Sequence, residues 1–474
     1  MKYRNALTPI ALTLLLSGCF TVGPDYAGAP ELANAKPGAL TRANQTGVKS
    51  EAPIAAAWWQ SLGDDTLNSL VAQALADSPD MQAAQARLRK ARATLGREEA
   101  NGRPKVGATG LGLGTLVGPG TAEEHGSEFY FVGFDASWEI DFAGGKQRAL
   151  EAAGAQRGEV LASFADAQVS LAAEVVQAYT ELRGRQQRLA LLRETAQLDE
   201  QTLALTRQQE ARGVASAMDV ERLVSRLEVS RRNVQETEGA ISETLDRLAV
   251  LCGQAPGTLD TRLSPDVQLP KVPNEVAVGD VGSLLKQRPD IRAAERRLAA
   301  STARIGQQKS NYFPKVTITG MIGTGGDSPS KLGDAGSLTL LAVPQIKWGF
   351  LDFGRTKAAV QEAEAGRDEA HASYEASVLN ALRDANVALT RFGHQRQSLA
   401  SLQQQQASAE RNLGLVTQRQ RAGAATLLEQ QDAQRAAVNA RQEVTAAQAK
   451  LLQDFTALHK SLGLGWGTNP SAAS

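Results

Sequence analysis

The sequence predicts an internally duplicated α+β membrane protein in which paired strands alternate with pairs of long helices. Three observations carry that prediction: a repeat at constant offset, a strict period-two stretch, and two long proline-free runs. PDMQAAQARLRKARATLG and RPKVGATG return as PDIRAAERRLAASTARIG and FPKVTITG, taking Pro104 to Pro314, an offset of 210 residues. The same offset superposes Asp80 on Asp290, Arg87 on Arg297, Gly96 on Gly306 and Trp138 on Trp348. It also carries Gly144 to Gly354, Gly213 to Gly423 and Gly253 to Gly463. Solenoid units are only ~20–50 residues long, so this is a duplicated half.

Composition narrows the function. Lys+Arg and Asp+Glu are equal at 51 each, so no bulk field favours nucleic acid. Four His, two Cys and four Met are scattered, leaving no cluster for a metal, a cofactor or a His-based catalytic centre. Aromatics make up only 5 %, which suits extended helices better than a thick globular core. A non-enzymatic protein is expected.

At the start of the chain, Lys2 and Arg4 precede an apolar run and then LSGC, the pattern of a signal peptide over residues 1–18. The cysteine after LSG resembles a bacterial lipobox, which implies cleavage before Cys19 and covalent N-acyl and S-diacylglycerol lipid on it. Two or more acyl chains anchor stably. Phe20 follows, not the Asp that commonly retains lipoproteins at the inner membrane, so the outer membrane is favoured. Cys252 then lacks a disulfide partner, and as the counterpart of Leu462 it reads as a small hydrophobe at a helix end.

Residues 19–65 read as a leader, 66–253 as the first repeat, 254–279 as a linker, 280–463 as the second repeat and 464–474 as a tail. The first helix runs near Thr66–Asn101, broken at Ser78-Pro79. From Tyr130 to Phe142 apolar residues alternate: Tyr130, Val132, Phe134, Ala136, Trp138, Ile140 and Phe142 share one face. Phe131, Gly133, Asp135, Ser137, Glu139 and Asp141 share the other. This fits a membrane strand, apolar toward lipid and polar toward a lumen. The repeat promotes 104–117 and the Val316–Ile322 stretch to strands, and Leu338–Trp348 to a fourth in which Pro344 requires a bulge or a lapse in pairing. The lipid-facing set is therefore Tyr130, Val132, Phe134, Trp138, Ile140 and Trp348. On pattern alone, a small soluble sheet remains the alternative.

Gly144–Gly213 and Gly354–Gly423 contain no proline. Leu171, Val175, Ala178, Leu182, Leu189 and Leu192 recur at coiled-coil spacing, as do Val378, Leu382, Ala385, Leu389, Phe392 and Leu399. Each run turns tightly and returns as a helix, about 217–252 and 426–462. Four strands cannot close a barrel in lipid, because open edges leave backbone groups unpaired. Two copies would give 8 strands, three 12 and four 16.

The words GPDYAGAP, WW with DDTL, SWEIDFAGG, RPDIRAAERRL, FPKVTITG and LLEQQDAQR resemble the TolC-type outer-membrane efflux proteins, in the lipoprotein branch of OprM-like and NodT-like factors. The resemblance spans nearly the whole mature chain. It implies a homotrimer with a 12-stranded β-barrel in the outer membrane and a long α-helical barrel across the periplasm. It also implies a periplasmic adaptor and an inner-membrane pump as partners, the pump supplying the energy for small-molecule export. The positions matching the family's constricting rings are Leu428 and Asp432, four residues apart on one helical face. A ring of such carboxylates repels itself or recruits cations. The first-half counterparts, Met218 and Arg222, do not repeat the acid. Arg212, Gly213, Arg421 and Gly423 mark the helix turns, where the arginines cap helix-end carbonyls or meet the adaptor. Two other functions stay open from sequence: a protein-secretion duct of the same fold, and a coiled-coil envelope scaffold.

Overall fold

The computed structural model describes residues 20–30, 48–49, 56–114, 128–264, 268–278 and 287–466. The signal segment, Cys19 and residues 115–127 lie outside these residues. The described residues fall into two compact units, each discontinuous in sequence, bounded as Met1–Glu31, Arg87–Leu161 and Ala293–Glu375, and as Leu32–Ala86, Ala162–Arg292 and Ala376–Ser474.

The helices follow the repeat. α1 (Asp65–Asp77) and α2 (Pro79–Asn101) are separated at Ser78, because the residue before a proline avoids helical backbone. α3 (Gly145–Ala211) and α6 (Arg355–Arg421) each have 67 residues, and their return helices α4 (Ala217–Leu251) and α7 (Leu427–Ser461) each have 35. α5 (Pro289–Lys309) is the second-half partner of α2. The α3 seam is buried at Leu171, Val175, Ala178, Leu182 and Leu192. In α6 the expected seam is buried at Ala385, Leu389 and Phe392 but not at its ends. Val378, Leu382 and Leu399 are half-buried, and Ala381 and Ala388 join the buried set.

In the first unit, β1 (Lys105–Gly114), β2 (Glu128–Ile140), β3 (Lys315–Gly326) and β4 (Leu338–Lys347) form one antiparallel sheet in that order. β2 starts and ends two residues before the span expected from alternation, and Asp141 leaves the strand to accept the Gln147 backbone N–H (2.9 Å) at the start of α3. Pro344 needs no bulge. Its register with Ile318 is continuous with the Thr319–Val343 and Val316–Ile346 pairs, because proline is tolerated on an outer strand with a free side. Trp138 and Trp348 each donate an indole N–H to the carbonyl 36 residues earlier, Gly102 (3.0 Å) and Tyr312 (3.1 Å), tying both hairpin bases alike.

The second unit has its core where α1 meets the long helices. Asp64 caps α1 through Leu67 N (2.9 Å) and accepts the Tyr179 hydroxyl proton (2.6 Å). Leu67, Leu70, Val71 and Ala74 are fully buried. Each large side chain so placed contributes about 1.5–3 kcal/mol of transfer free energy. Trp58 stacks on His459 (4.8 Å between ring centres) and meets Phe455 edge-on (5.7 Å). Cys252 caps α4, is fully buried with Sγ 3.7 Å from the Leu70 carbonyl, and burial pushes its thiol up to about 11. The leader contributes Val48–Lys49, which pairs in parallel with Val276–Ala277.

Candidate functional site: sheet face and helix turns

Across the sheet, directly paired residues share a face. Val106 and Ala136, Phe134 and Ile322, Trp138 and Ile318, Ile322 and Leu340, and Val316 and Ile346 are such pairs. Of these, Val106, Phe134, Trp138, Ile318, Ile322, Leu340 and Ile346 are exposed, as are Val132 and Trp348, whereas Tyr130 and Ile140 are half-buried. Water does not tolerate an apolar band of this extent without a covering phase. The opposite face is mixed: it carries Lys105, Thr109, Asp135, Ser137, Glu139, Thr317, Thr319 and Gln345 together with Leu111, Leu113, Phe129, Met321, Leu341 and Val343, and Thr109 Oγ1 donates to Asp135 (2.5 Å). Phe131 belongs to this second face but is buried, because its ring covers glycine backbone. A Cβ on Gly133 or Gly323 would meet Phe131 Cζ at 2.9 or 2.7 Å. Among the described residues no helix is long and apolar enough to cross a membrane.

At the helical turns, Gly213 and Gly423 have φ of 72° and 75°. Gly213 N bonds Glu210 O and Val214 N bonds Gln209 O; Gly423 N bonds Gln420 O and Ala424 N bonds Arg419 O. Both are Schellman closures, which need a left-handed residue that glycine adopts without steric cost. Capping boxes then start the return helices, Ser216 with Asp219 and Thr426 with Glu429. The arginine cap falls elsewhere than the sequence placed it. Arg419, not Arg421, donates to the Ala424 carbonyl (2.9 Å), and the Arg212 turn closes through backbone alone.

Roughly one and a half to three and a half turns into the return helices lies a buried charge network. Asp199 on α3 is 1 % exposed and accepts from Arg226 Nε (2.7 Å) and Ser230 Oγ (2.6 Å), with Arg435 Nε at 3.4 Å. Arg226 Nη1 reaches Asp432 at 3.8 Å. Asp432 is 60 % exposed and Leu428 is 37 % exposed. Self-repulsion is therefore not the whole account of Asp432, since its own chain supplies a cation beside it. Burial, the largest cause, holds the Arg435 guanidinium below its usual value against the pull of Asp199, and Arg226 adds to the depression. Apolar packing of Leu203 with Val220, Leu223 and Leu227 joins α3 to α4. α7 is bound to α3 by Thr202 Oγ1 donating to Gln431 (2.5 Å) and Gln442 donating to Thr195 (3.0 Å).

The sequence singled out Leu428 and Asp432 but not Asp199, Arg226 and Arg435, which the fold gathers beside Asp432. A signal was present. The offset of 210 pairs these three with Ala409, Ala436 and Ser225, so the network sits where the repeat breaks from charged to small residues.

The model of the outer membrane efflux protein family matches residues 70–254 and 281–464, one match to each half. The chain belongs to the outer membrane efflux protein family. Nodulation protein T of Rhizobium leguminosarum bv. trifolii is 29 % identical over 478 residues, covering 100 % of this chain and 99 % of that protein. Outer membrane protein OprJ of Pseudomonas aeruginosa is 29 % identical, covering 96 % of this chain and 95 % of that one. The solved outer-membrane channel OprN is 34 % identical with a TM-score of 0.86, covering 94 % of this chain and 99 % of that one. As a member of this family the chain is an outer-membrane efflux channel, and the family acts with an adaptor and an inner-membrane pump.

Proposed function

We propose that three copies of this chain close a 12-stranded barrel and form a passive duct for small molecules, fed by a periplasmic adaptor and an inner-membrane pump. The observation that carries this reading is the four-stranded sheet, continuously apolar on one exposed face, whose outer strands β1 and β4 have no further partner among the described residues. Such a sheet satisfies its backbone in lipid only by closing with copies of itself. The α3–α4 and α6–α7 hairpins line the periplasmic conduit. Leu428 and Asp432 narrow it, and the Asp199, Arg226 and Arg435 network braces the helix that presents them. The turns at Arg212–Gly213 and Arg421–Gly423 are the surface offered to the adaptor, and lipid on Cys19 adds an anchor. The duct transfers no chemical group itself; the pump supplies the energy.

Single-channel conductance in planar bilayers tests the reading. Wild type is expected to show a small, cation-preferring conductance that grows in Asp432→Ala and Leu428→Ala. Absence of conductance from every lipidated variant, the double change included, defeats the duct. Equal conductance in wild type and both variants keeps the duct and removes this gate.

A further inference from the structure

We propose that Phe353 seats against Gly96 of a second copy of this chain, closing between copies a crevice that the leader closes within one chain. This rests on the ring reading above. Within the chain, pairing of β2 with β3 sets the exit of the first hairpin beside the entry of the second. Residues 20–26 fill the space between them. Val22 N donates to Ala143 O (3.1 Å), and Arg148 holds Val22 O (3.0 Å) and Asp25 (2.7 Å). Two glycines make room: a Cβ on Gly144 would lie 2.7 Å from Thr21 Cα, and one on Gly306 would lie 2.6 Å from Val22 O.

The repeat offset carries Gly144 to Gly354 and Gly306 back to Gly96, so both glycines recur. In the single chain neither is used, since a Cβ on Gly96 or on Gly354 meets nothing within 4 Å. Gly354 follows β4 and Gly96 precedes β1, the two outer strands, so one sheet cannot bring them together. Pairing β4 with β1 of the next copy does so, just as pairing β2 with β3 joins Gly144 to Gly306.

A leader does not fit that second crevice. Arg148 corresponds to Ala358, so the guanidinium that holds Val22 and Asp25 has no counterpart there, and the offset puts the bulky Phe353 where Ala143 accepts from Val22. What stands there instead is Phe353, 86 % exposed at φ 54°, the one non-glycine residue with positive φ among those described. A bulky side chain is held there only against a steric cost, which marks a position selected for where the ring points. Over a bare glycine, that ring occupies the space that Thr21 and Val22 take at Gly144 and Gly306.

Paired cysteines test the contact. In purified rings, Phe353→Cys with Gly96→Cys should give covalent dimers and trimers on oxidation, resolved on denaturing gels, and neither single variant should; buried Cys252 serves as the internal control. Phe353→Gly keeps the backbone comfortable and removes only the ring, so rings should still form but dissociate in detergent roughly tenfold faster. Rings of normal mass that neither cross-link nor dissociate faster would show that Phe353 faces lipid and overturn the contact alone. A chain that stays monomeric by native mass overturns the ring reading, and this contact with it.

Discussion

The two helical hairpins use the same backbone devices and differ in charge. α3–α4 and α6–α7 match in length, in the Schellman glycines Gly213 and Gly423, and in their capping boxes. Beyond the turn, the first hairpin contributes Asp199 and Arg226 where the second has Ala409 and Ala436, while the second contributes Asp432 and Arg435 where the first has Arg222 and Ser225. The duplication has conserved what makes the chain turn and varied what the turn presents. Asymmetric side chains on symmetric backbone are where a gate can be built without disturbing the fold.

The comparison is broken most severely at Asp199. Asp199→Ala leaves Arg226 and Arg435 facing each other without their shared carboxylate. Removing one partner of a buried pair costs several kcal/mol, and here about 3 kcal/mol applies because both arginines keep some exposure. Amide exchange in the first turns of α4 and α7 should accelerate on the order of 100-fold. Ala409→Asp at the mirrored position meets no such arginines and should leave exchange in α7 unchanged. Equal effects at both sites would mean the hairpins are alike after all.

A second asymmetry lies at His459, whose first-half counterpart is Ala249. Burial against Trp58 and Phe455 pushes the imidazole down to about 4 from 6.5, outweighing the bond to the Phe455 carbonyl. The unfolded chain takes up a proton near pH 6.5 and the folded one only near pH 4. Stability is therefore complete above pH 6.5 and falls as the pH drops toward 4, by about 3 kcal/mol. Melting of the helical signal followed from pH 7.5 to 4 should show that slope, and His459→Leu should flatten it. An unchanged slope in the variant would assign the acid sensitivity to other groups.

Much of this was legible in the sequence because helices and turns are local. Offset, proline-free length and glycine position placed α3, α4, α6 and α7 to within a few residues, and alternation placed β2. What escaped depends on packing between distant segments. Alternation put Phe131 on the second face, but its burial depends on the paired strand, which brings Gly323 beneath its ring. Arg419 rather than Arg421 caps its turn because the closure directs residue 419 back across the loop. The network around Asp199 joins three helices, so no local pattern announces it, although the charged breaks in the repeat could have drawn attention to those positions. The strand edges were legible only as an incompleteness, since four strands imply partners without stating how the copies meet.

Smaller effects at the turns sharpen the comparison from the conserved side. Gly213→Ala and Gly423→Ala each place a Cβ in left-handed backbone and should each cost about 1–2 kcal/mol, read as a matched loss of local exchange protection. A markedly larger loss at one turn would mean that its glycine does more than close the helix.

The smallest expected effects are at the helix starts. Ser216→Ala and Thr426→Ala each remove a side-chain acceptor from the third backbone N–H of the return helix, at about 1 kcal/mol apiece. Hydrogen bonds from the Ser216 side chain and backbone hold the Asp219 carboxyl below its ordinary range; Thr426 does the same for Glu429, there led by its backbone N–H. For groups depressed in this way, the stabilisation is present above the unfolded carboxyl pKa and is lost as pH falls through the folded one. Both caps should therefore weaken together under acid, and each alanine variant should lose part of that dependence while keeping it at the other turn. Carboxyl titrations followed by NMR on the isolated 35-residue return segments would not serve, because the cap geometry is set by the preceding Schellman turn; site-resolved exchange in the full chain from pH 6 to 3 is the measurement. If Thr426→Ala released its turn while Ser216→Ala left its own intact, the hairpins would differ at the level of backbone as well as charge, and the division between conserved turn and varied surface would have to be drawn one helical turn earlier.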